Sequence, residues 1–121
     1  MVQISKRSLD PKLDKKFKQT LSQVIADLNS KEKADLFLKD FLTDTEYIAL
    51  SKRLAIITYL AKGHSYKDIK REIKVSSATI ATVQNQLENK ESGIHLALKF
   101  IKAEEWASKW TGKLSGIFGK K

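Results

Sequence analysis

Residues 64 to 87 of the chain read HSYKDIKREIKVSSATIATVQNQL, and this stretch decides the fold. Two short helical patterns meet there across a three-residue turn, Lys74-Val75-Ser76. The first pattern is basic, whereas the second is almost uncharged and lined with small polar side chains. Ser65 and Ser76 are each placed to cap the helix that follows. This order predicts a helix-turn-helix, with an ordinary helical hairpin as the alternative.

The second pattern has an apolar face and a small polar face. Ile80 and Val83 are spaced to point inward. The residues on the other side are small and uncharged: Ser77, Ala78, Ala81, Thr82 and Asn85, with Thr79 near the edge. Such side chains let a helix approach base edges in the DNA major groove, where they exchange hydrogen bonds and contact thymine methyl groups. We therefore predict that these six residues face bases.

Positive charge lies on the first pattern and at the turn. The residues predicted to face DNA phosphates are Lys67, Lys70, Arg71, Lys74 and Ser76. Phosphate contacts of this kind supply salt-dependent affinity and carry no sequence information. Lys74 occupies the turn position usually given to glycine. If the turn requires a positive φ there, lysine costs on the order of 1 kcal/mol.

Helical patterns also precede this stretch. Asp10-Pro11 predicts the start of a helix that runs to about Asn29, and Ser30 can cap a second, short helix. The sequence TDTE at residues 43–46 fits a capping box that opens a helix over 45–62. The second half of that helix, LAIITYLA, is apolar on most sides and must be enclosed by its own domain or by another chain. No β pattern occurs, so the predicted class is all-α.

The composition of the chain favours some classes of function and excludes others. The chain has 121 residues and a formal net charge of +9, concentrated at both ends and in the first half of the quoted stretch. This clustering favours nucleic acid or an anionic membrane surface as a partner, with a solubilising surface as the alternative. There is no cysteine, which excludes disulfides and thiolate chemistry. The two histidines form no metal-binding pattern and no glycine-rich phosphate loop occurs. We expect no enzyme, no metal and no cofactor.

The C-terminal segment follows a predicted break at residues 88–93, ENKESG. Apolar residues then recur at the spacing of a coiled-coil seam: Leu96, Phe100, Ala103, Ala107, Trp110, Leu114 and Ile117. We predict a helical DNA-binding domain over 1–89, with the helix-turn-helix at 65–87, and an amphipathic helix over 90–121. That helix is expected to pack in or onto a dimer, with an anionic lipid surface or another protein as alternatives. Without an apolar leader or a long apolar run, the expected location is cytoplasmic.

Residues 41–87 resemble the Trp repressor superfamily. The resemblance begins with an LT–E–AL–R pattern formed by Leu42, Thr43, Glu46, Ala49, Leu50 and Arg53. It continues through Gly63 and Ser65 to the ATI of residues 78–80. It implies an all-α homodimer in which the N-terminal and central helices of two chains interlock. It also implies two recognition helices about 34 Å apart that bind a palindrome.

In this family the corepressor is tryptophan, and the resemblance assigns pocket positions to Thr43, Arg53 and Thr79. Thr82 stands where a second arginine would stack on the indole, and Val83 stands where a glycine is expected. Both differences predict weak or absent tryptophan binding and place the chain nearer the Trp repressor-like (YerC/YecD type) branch. Thr43, Arg53, Thr79 and Thr82 are thus the candidate pocket for an unnamed small-molecule effector, although for Arg53 a salt bridge within the core or between subunits is favoured over a ligand contact.

The expected function is a sequence-specific DNA-binding regulator that acts as a homodimer on a palindromic operator and represses by occupying it. The alternative is a helical adaptor or membrane-surface module with a vestigial helix-turn-helix. Enrichment of a palindrome from random DNA distinguishes the first from the second, which would bind any anionic polymer equally.

Overall fold

The structure, a computed structural model, describes residues 8–118, with side chains as far as residue 109. Within that range the chain is all-α, which confirms the predicted class, and none of the helices is both long and apolar enough to cross a membrane. The helices are α1 (Pro11–Asp27), α2 (Lys31–Phe41), α3 (Asp44–Ala61), α4 (Tyr66–Ile73), α5 (Ser77–Glu88) and α6 (Ile94–Phe118). The chain divides into two compact units, residues 1–51 and 52–121. The predicted division after residue 89 stays a prediction.

The predicted capping residues start their helices. Asp10 accepts a hydrogen bond from the Lys12 amide at 2.8 Å, at the start of α1. The capping box of α3 is reciprocal, because the Glu46 amide donates to the Thr43 hydroxyl at 3.1 Å and the Thr43 amide donates to the Glu46 carboxylate at 2.9 Å. The predicted end of α1 is two residues too late, since Asn29 adopts a left-handed φ of 45° that no helix can include.

The unit formed by residues 52–121 has a continuous apolar core. Its buried residues come from α3, α4, α5 and α6: Ile56, Ile57, Ile69, Ile73, Ile80, Val83 and Leu98. Ile56, Ile69 and Ile80 have no exposed surface. Because one isoleucine from each of α3, α4 and α5 is sealed in the same cluster, the core fixes how the helix-turn-helix sits on the long helix.

The turn between α4 and α5 contains a residue in the left-handed conformation, which is the case in which the sequence analysis expected lysine to be unfavourable. Lys74 ends α4 with φ 64° and ψ 55°, and its amide donates to the Lys70 carbonyl at 3.1 Å. The Lys74 carbonyl accepts a hydrogen bond from Lys52 of α3 at 3.5 Å. Val75 follows, half-buried against the core. The turn is thus held through backbone groups while its lysine side chain stays in solvent.

Replacing Lys74 by glycine is expected to raise the free energy of unfolding by about 0.5–1 kcal/mol, because glycine adopts this φ without a Cβ clash. Urea denaturation followed by circular dichroism measures the change. Lys74→Ala is the control, since it removes the same charge and keeps the Cβ. If the alanine variant gains as much stability as the glycine variant, charge and not backbone strain is the cause.

Helix α6 is attached to the rest of its unit by one face of its first turns. Leu98 is buried, and Ile94 packs against the core. The predicted seam lies on the other side, where Leu96 and Phe100 are 62% and 70% exposed. The seam residues Trp110, Leu114 and Ile117 have side chains outside the described residues. The helix therefore has apolar residues on two faces, and its inward face is not the one that the heptad spacing marked.

Polar contacts supplement this attachment. The His95 imidazole lies with Nε2 at 3.0 Å from the Leu87 carbonyl and 3.2 Å from the Asn89 carbonyl, at the end of α5. Lys62, at the end of α3, pairs with Glu105 at 2.7 Å. The imidazole gives the Leu87 carbonyl, one of those that a helix end leaves without an amide partner, a side-chain donor, whereas the Asn89 carbonyl also accepts from the Ser92 amide at 3.0 Å. The end of α5 is therefore closed by a side chain of α6.

The unit formed by residues 1–51 has no buried side chain in its described helices α1 and α2. Its large apolar residues are exposed instead, among them Leu13, Phe17, Leu21, Val24, Ile25, Leu36, Phe41, Ile48 and Leu50. On α1 they recur at helical spacing, so that one whole face of the helix is apolar. An apolar face of this extent in water requires a covering surface.

Candidate nucleic-acid interface

Helix α5 separates its buried and exposed residues as the sequence predicts. Ile80 is fully buried and Val83 is 1% exposed. The six residues predicted to face bases are all exposed, and we call them the polar face of α5: Ser77, Ala78, Thr79, Ala81, Thr82 and Asn85. The face carries no charge. A partner with dense hydrogen-bonding groups could therefore contact this helix without desolvating an ion.

Hydrogen bonds within the chain decide which groups of the polar face are free. The Ser76 hydroxyl caps α5 by accepting from the Thr79 amide at 3.1 Å, and it lies 3.0 Å from the Thr79 hydroxyl. The Thr82 hydroxyl donates to the Ala78 carbonyl at 3.0 Å. Its lone pairs stay available to a donor. Of the two threonines, Thr82 is thus the better placed to accept a hydrogen bond from outside.

Exposed cations lie on α4 and at the turn that leads into α5. Lys67, Lys70 and Lys74 are exposed, and no carboxylate of the described residues forms an ion pair with them. We call these three residues the lysine group. Their ammonium groups are free to meet an anion, as the sequence predicts for phosphate contacts.

Arg71 differs from the lysine group, although the sequence places it in the same class. Its guanidinium lies 2.9 Å from the Asp68 carboxylate and 3.2 Å from the Glu72 carboxylate. The Glu72 carboxylate also accepts a hydrogen bond from the Tyr59 hydroxyl of α3 at 2.8 Å. That hydrogen bond, followed by Arg71, lowers the pKa of Glu72, and the same hydrogen bond raises the pKa of Tyr59. Glu72 is therefore ionised at neutral pH.

Tyrosine contacts that the sequence reasoning missed fix the helix-turn-helix. Tyr59 links α3 to α4 through Glu72, and the Tyr66 hydroxyl donates to the Gln84 amide oxygen and so links α4 to α5. Tyr66 directly follows the cap of α4, which is the signal that could have marked it. Gln84 and Tyr59 carry no local signal, because their partners are distant in sequence.

The four residues predicted to line an effector pocket lie in both units. Thr43 belongs to residues 1–51, where its hydroxyl serves the capping box. Arg53, Thr79 and Thr82 belong to residues 52–121 and are exposed. Arg53 forms no ion pair with another described residue. The part of the chain that the structure describes also has no cluster of three or more His, Asp or Glu side chains suited to a metal ion.

Comparisons with known proteins identify the family to which this sequence is similar. Residues 16–102 match the family described as Trp repressor protein, a range that holds most of α1, all of α2 to α5 and the start of α6. A relative from Bacillus subtilis (strain 168), named Uncharacterized protein YerC, is 31% identical over 96 residues, which cover 79% of this chain and 88% of the relative. No solved structure matches the chain.

Proposed function

Since this chain belongs to the Trp repressor family of DNA-binding regulators, we propose that it is a sequence-specific transcriptional regulator that binds a palindromic operator as a homodimer. One observation carries the proposal: the uncharged, exposed face of α5 directly follows a helix and turn whose three exposed lysines form no ion pair with the described residues. The polar face of α5 would enter the major groove, and the lysine group would hold phosphates on its flank. Occupation of the operator would repress transcription.

The different side chains of the two helices, lysines on α4 and small uncharged residues on α5, support sequence-specific binding. Lysine contacts to phosphate attract any DNA, so they cannot choose a site. The polar face of α5 carries Thr82 and Asn85, whose hydrogen-bonding groups match base edges, and Ala78 and Ala81, whose methyl groups match thymine. The face has no arginine for a bidentate contact with guanine, so discrimination per base is modest and depends partly on DNA shape.

The proposed homodimer is supported by the apolar surface of residues 1–51. In α1, Phe17 and Ile25 are each 54% exposed and Leu13 is 45% exposed. Leu54 and Leu50 on α3 are also exposed. A second copy that interlocked with these helices would bury the surface and would account for the apolar second half of α3. The dimer would also present two polar faces at the spacing of one helical turn.

Selection of bound DNA from a random pool tests the proposal on the purified full chain. The expected result is an enriched palindrome whose half-sites lie about one helical turn apart. Equal recovery of all sequences would contradict sequence-specific binding. A single enriched half-site with no repeat would contradict the dimer.

Thr82→Ala and Lys70→Ala are expected to change DNA binding in different ways. Thr82→Ala removes a hydrogen-bond acceptor from the polar face, so the base preference at one or two positions should change while the salt dependence stays the same. Lys70→Ala should weaken binding to all sequences alike and reduce the slope of log K against log salt by about one. Titrations by fluorescence anisotropy at several salt concentrations measure both. If Thr82→Ala lowers affinity for every sequence and reduces the slope, Thr82 contacts the backbone and not a base.

An effector site remains part of the proposal. Thr43, Arg53, Thr79 and Thr82 would line it in the dimer. Arg53 is exposed and unpaired among the described residues, so it could bind the carboxylate of a small molecule. Thr82 and Val83 stand where the family has arginine and glycine, which disfavours tryptophan itself. Calorimetric titration with each of the twenty amino acids would identify an amino-acid effector.

The outward face of α6 favours a second candidate function, a helical interaction module. Leu96 and Phe100 are exposed on it, beside Lys99. Such a face suits a partner helix or an anionic lipid surface. Sedimentation of the full chain and of Leu96→Glu/Phe100→Glu with anionic liposomes tests the lipid case, because these changes alter the outward face and leave His95 and Leu98 in place. DNA selection separates this function from operator binding.

A further inference from the structure

Helix α4 carries its own counter-charges. Between Tyr66 and Ile73 the sequence KDIKRE places two carboxylates among three cations. The carboxylates are not spread evenly, because both Asp68 and Glu72 lie against the same guanidinium, that of Arg71. Lys67 and Lys70 have no such partner among the described residues. One of the four cations of α4 and its turn is therefore neutralised inside the chain.

The arrangement around Arg71 is anchored to the core helix. Tyr59 of α3 donates to one oxygen of Glu72, and Arg71 contacts the other oxygen. The hydroxyl fixes the carboxylate, and the carboxylate in turn fixes the guanidinium. The Asp68 carboxylate contacts Arg71 from the preceding turn at 2.9 Å, and the Asp68 amide donates to the Ser65 hydroxyl that caps α4. Exposed pairs such as these are weak in water, but the Glu72 carboxylate is held in place by Tyr59 of the core helix.

Resting on the proposed function, we infer that Asp68 and Glu72 are positioning residues that hold Arg71 against α4 and keep it off the phosphates of DNA. Release of Arg71 to a phosphate would leave two carboxylates without a cation beside a polyanion. The gain of one phosphate contact is thus offset by electrostatic repulsion. The acidic pair thereby limits the affinity of this helix for DNA of any sequence.

Glu72→Gln is the first test, because glutamine can still accept the hydrogen bond from Tyr59. The probe is a labelled duplex of random sequence, about three helical turns long. We expect Glu72→Gln, and more strongly Asp68→Asn/Glu72→Gln, to raise affinity for this duplex by about fivefold to tenfold near 0.1 M salt and to steepen the salt slope by about one. Glu91→Gln, outside α4, is the matched control with the same change of charge and should have a much smaller effect.

Arg71→Ala made in both backgrounds isolates the interaction. In the Asp68→Asn/Glu72→Gln background it should reduce the salt slope by about one, because Arg71 then binds a phosphate. In the otherwise unchanged chain the reduction should be much smaller. Equal reductions in the two backgrounds would overturn the inference. Circular dichroism melting of each variant shows whether the fold is retained, because loss of α4 would also remove the phosphate contacts of Lys67 and Lys70 and so change the slope.

Lys70→Ala separates failure of this inference from failure of the proposed function. If it lowers the slope while Glu72→Gln and Glu91→Gln act alike, the chain binds DNA but the acidic pair does not restrain Arg71, and only the inference is lost. If no variant and not even the unchanged chain binds the duplex with a salt-dependent affinity, the proposed function fails and the inference fails with it.

Discussion

Ile80→Ala is expected to lower the free energy of unfolding of residues 52–121 by about 2–5 kcal/mol, the usual range for removing a large buried aliphatic side chain. Ile80 has no exposed surface and lies in the cluster that joins α5 to α3 and α4. The loss combines the transfer free energy of the missing methyl groups with the cavity they leave. The free energy of unfolding of a small domain is only about 5–15 kcal/mol, so the substitution would remove a large part of it.

Urea denaturation of the full chain measures this loss, and Thr82→Ala on the exposed side of the same helix is the control. The control should stay within about 0.5 kcal/mol of the unchanged chain. Equal losses in the two variants would mean that α5 does not bury the face on which Ile80 lies. DNA binding by the Ile80→Ala variant should fall in proportion to its folded fraction, because Ile80 fixes the packing of α5 on α3 and α4 that holds the polar face in position.

Phe17→Glu is expected to separate the proposed dimer into monomers. Phe17 lies in the middle of the apolar face of α1, and a carboxylate there would be buried without a partner at the interface. Affinity for a palindrome should then fall by about 10²–10⁴-fold, because the second half-site is no longer bound by a linked second polar face. Light scattering coupled to gel filtration gives the mass, and anisotropy titration gives the affinity.

Gln19→Glu adds the same charge two residues further along α1, on the side of the helix away from Phe17. It should leave both the mass and the affinity close to those of the unchanged chain. A Phe17→Glu protein with an unaltered mass would contradict the proposed role of the apolar face of α1. An unchanged chain that already behaves as a monomer would contradict the dimer itself.

Local features of the fold could be predicted from sequence because their causes are local. Thr43 and Glu46 are three residues apart and satisfy each other's amides, so the start of α3 is recognisable without any tertiary information. The spacing of Ile80 and Val83 likewise fixes which side of α5 is buried. The sequence left a positive φ at Lys74 as a condition only, because lysine is not the residue that this conformation favours, and the structure shows a φ of 64° there.

The inward face of α6 could not be predicted, because periodicity identifies an apolar face but not its partner. Leu96 and Phe100 fit the longer and more regular pattern, whereas Leu98 and Ile94 fit a shorter one on another side. The shorter face packs on the core, since only it meets the end of α5. Tertiary contact therefore selected the shorter pattern, which the periodicity of the sequence did not favour.

The partners of Arg71 illustrate the same limit for the candidate interface. From sequence, Arg71 is one more cation in a basic helix, and its carboxylate neighbours at 68 and 72 look like ordinary surface charges. The structure distinguishes it from Lys70 because Tyr59, which is distant in sequence, fixes Glu72. Charge counts therefore predict the sign of the interface but not which cations are available to a ligand.

The closure of α5 by His95 has a practical consequence for anyone who trims the protein. Cutting the chain before His95 would remove the side-chain donor of the Leu87 carbonyl at the end of α5 and would also remove Leu98 from the core. If such a shortened chain lost DNA affinity, the loss could not be assigned to the outer part of α6, because the end of α5 would have been destabilised as well. A chain that ends after Glu105 keeps His95, Leu98 and the ion pair between Lys62 and Glu105, so it removes only the outer part of α6.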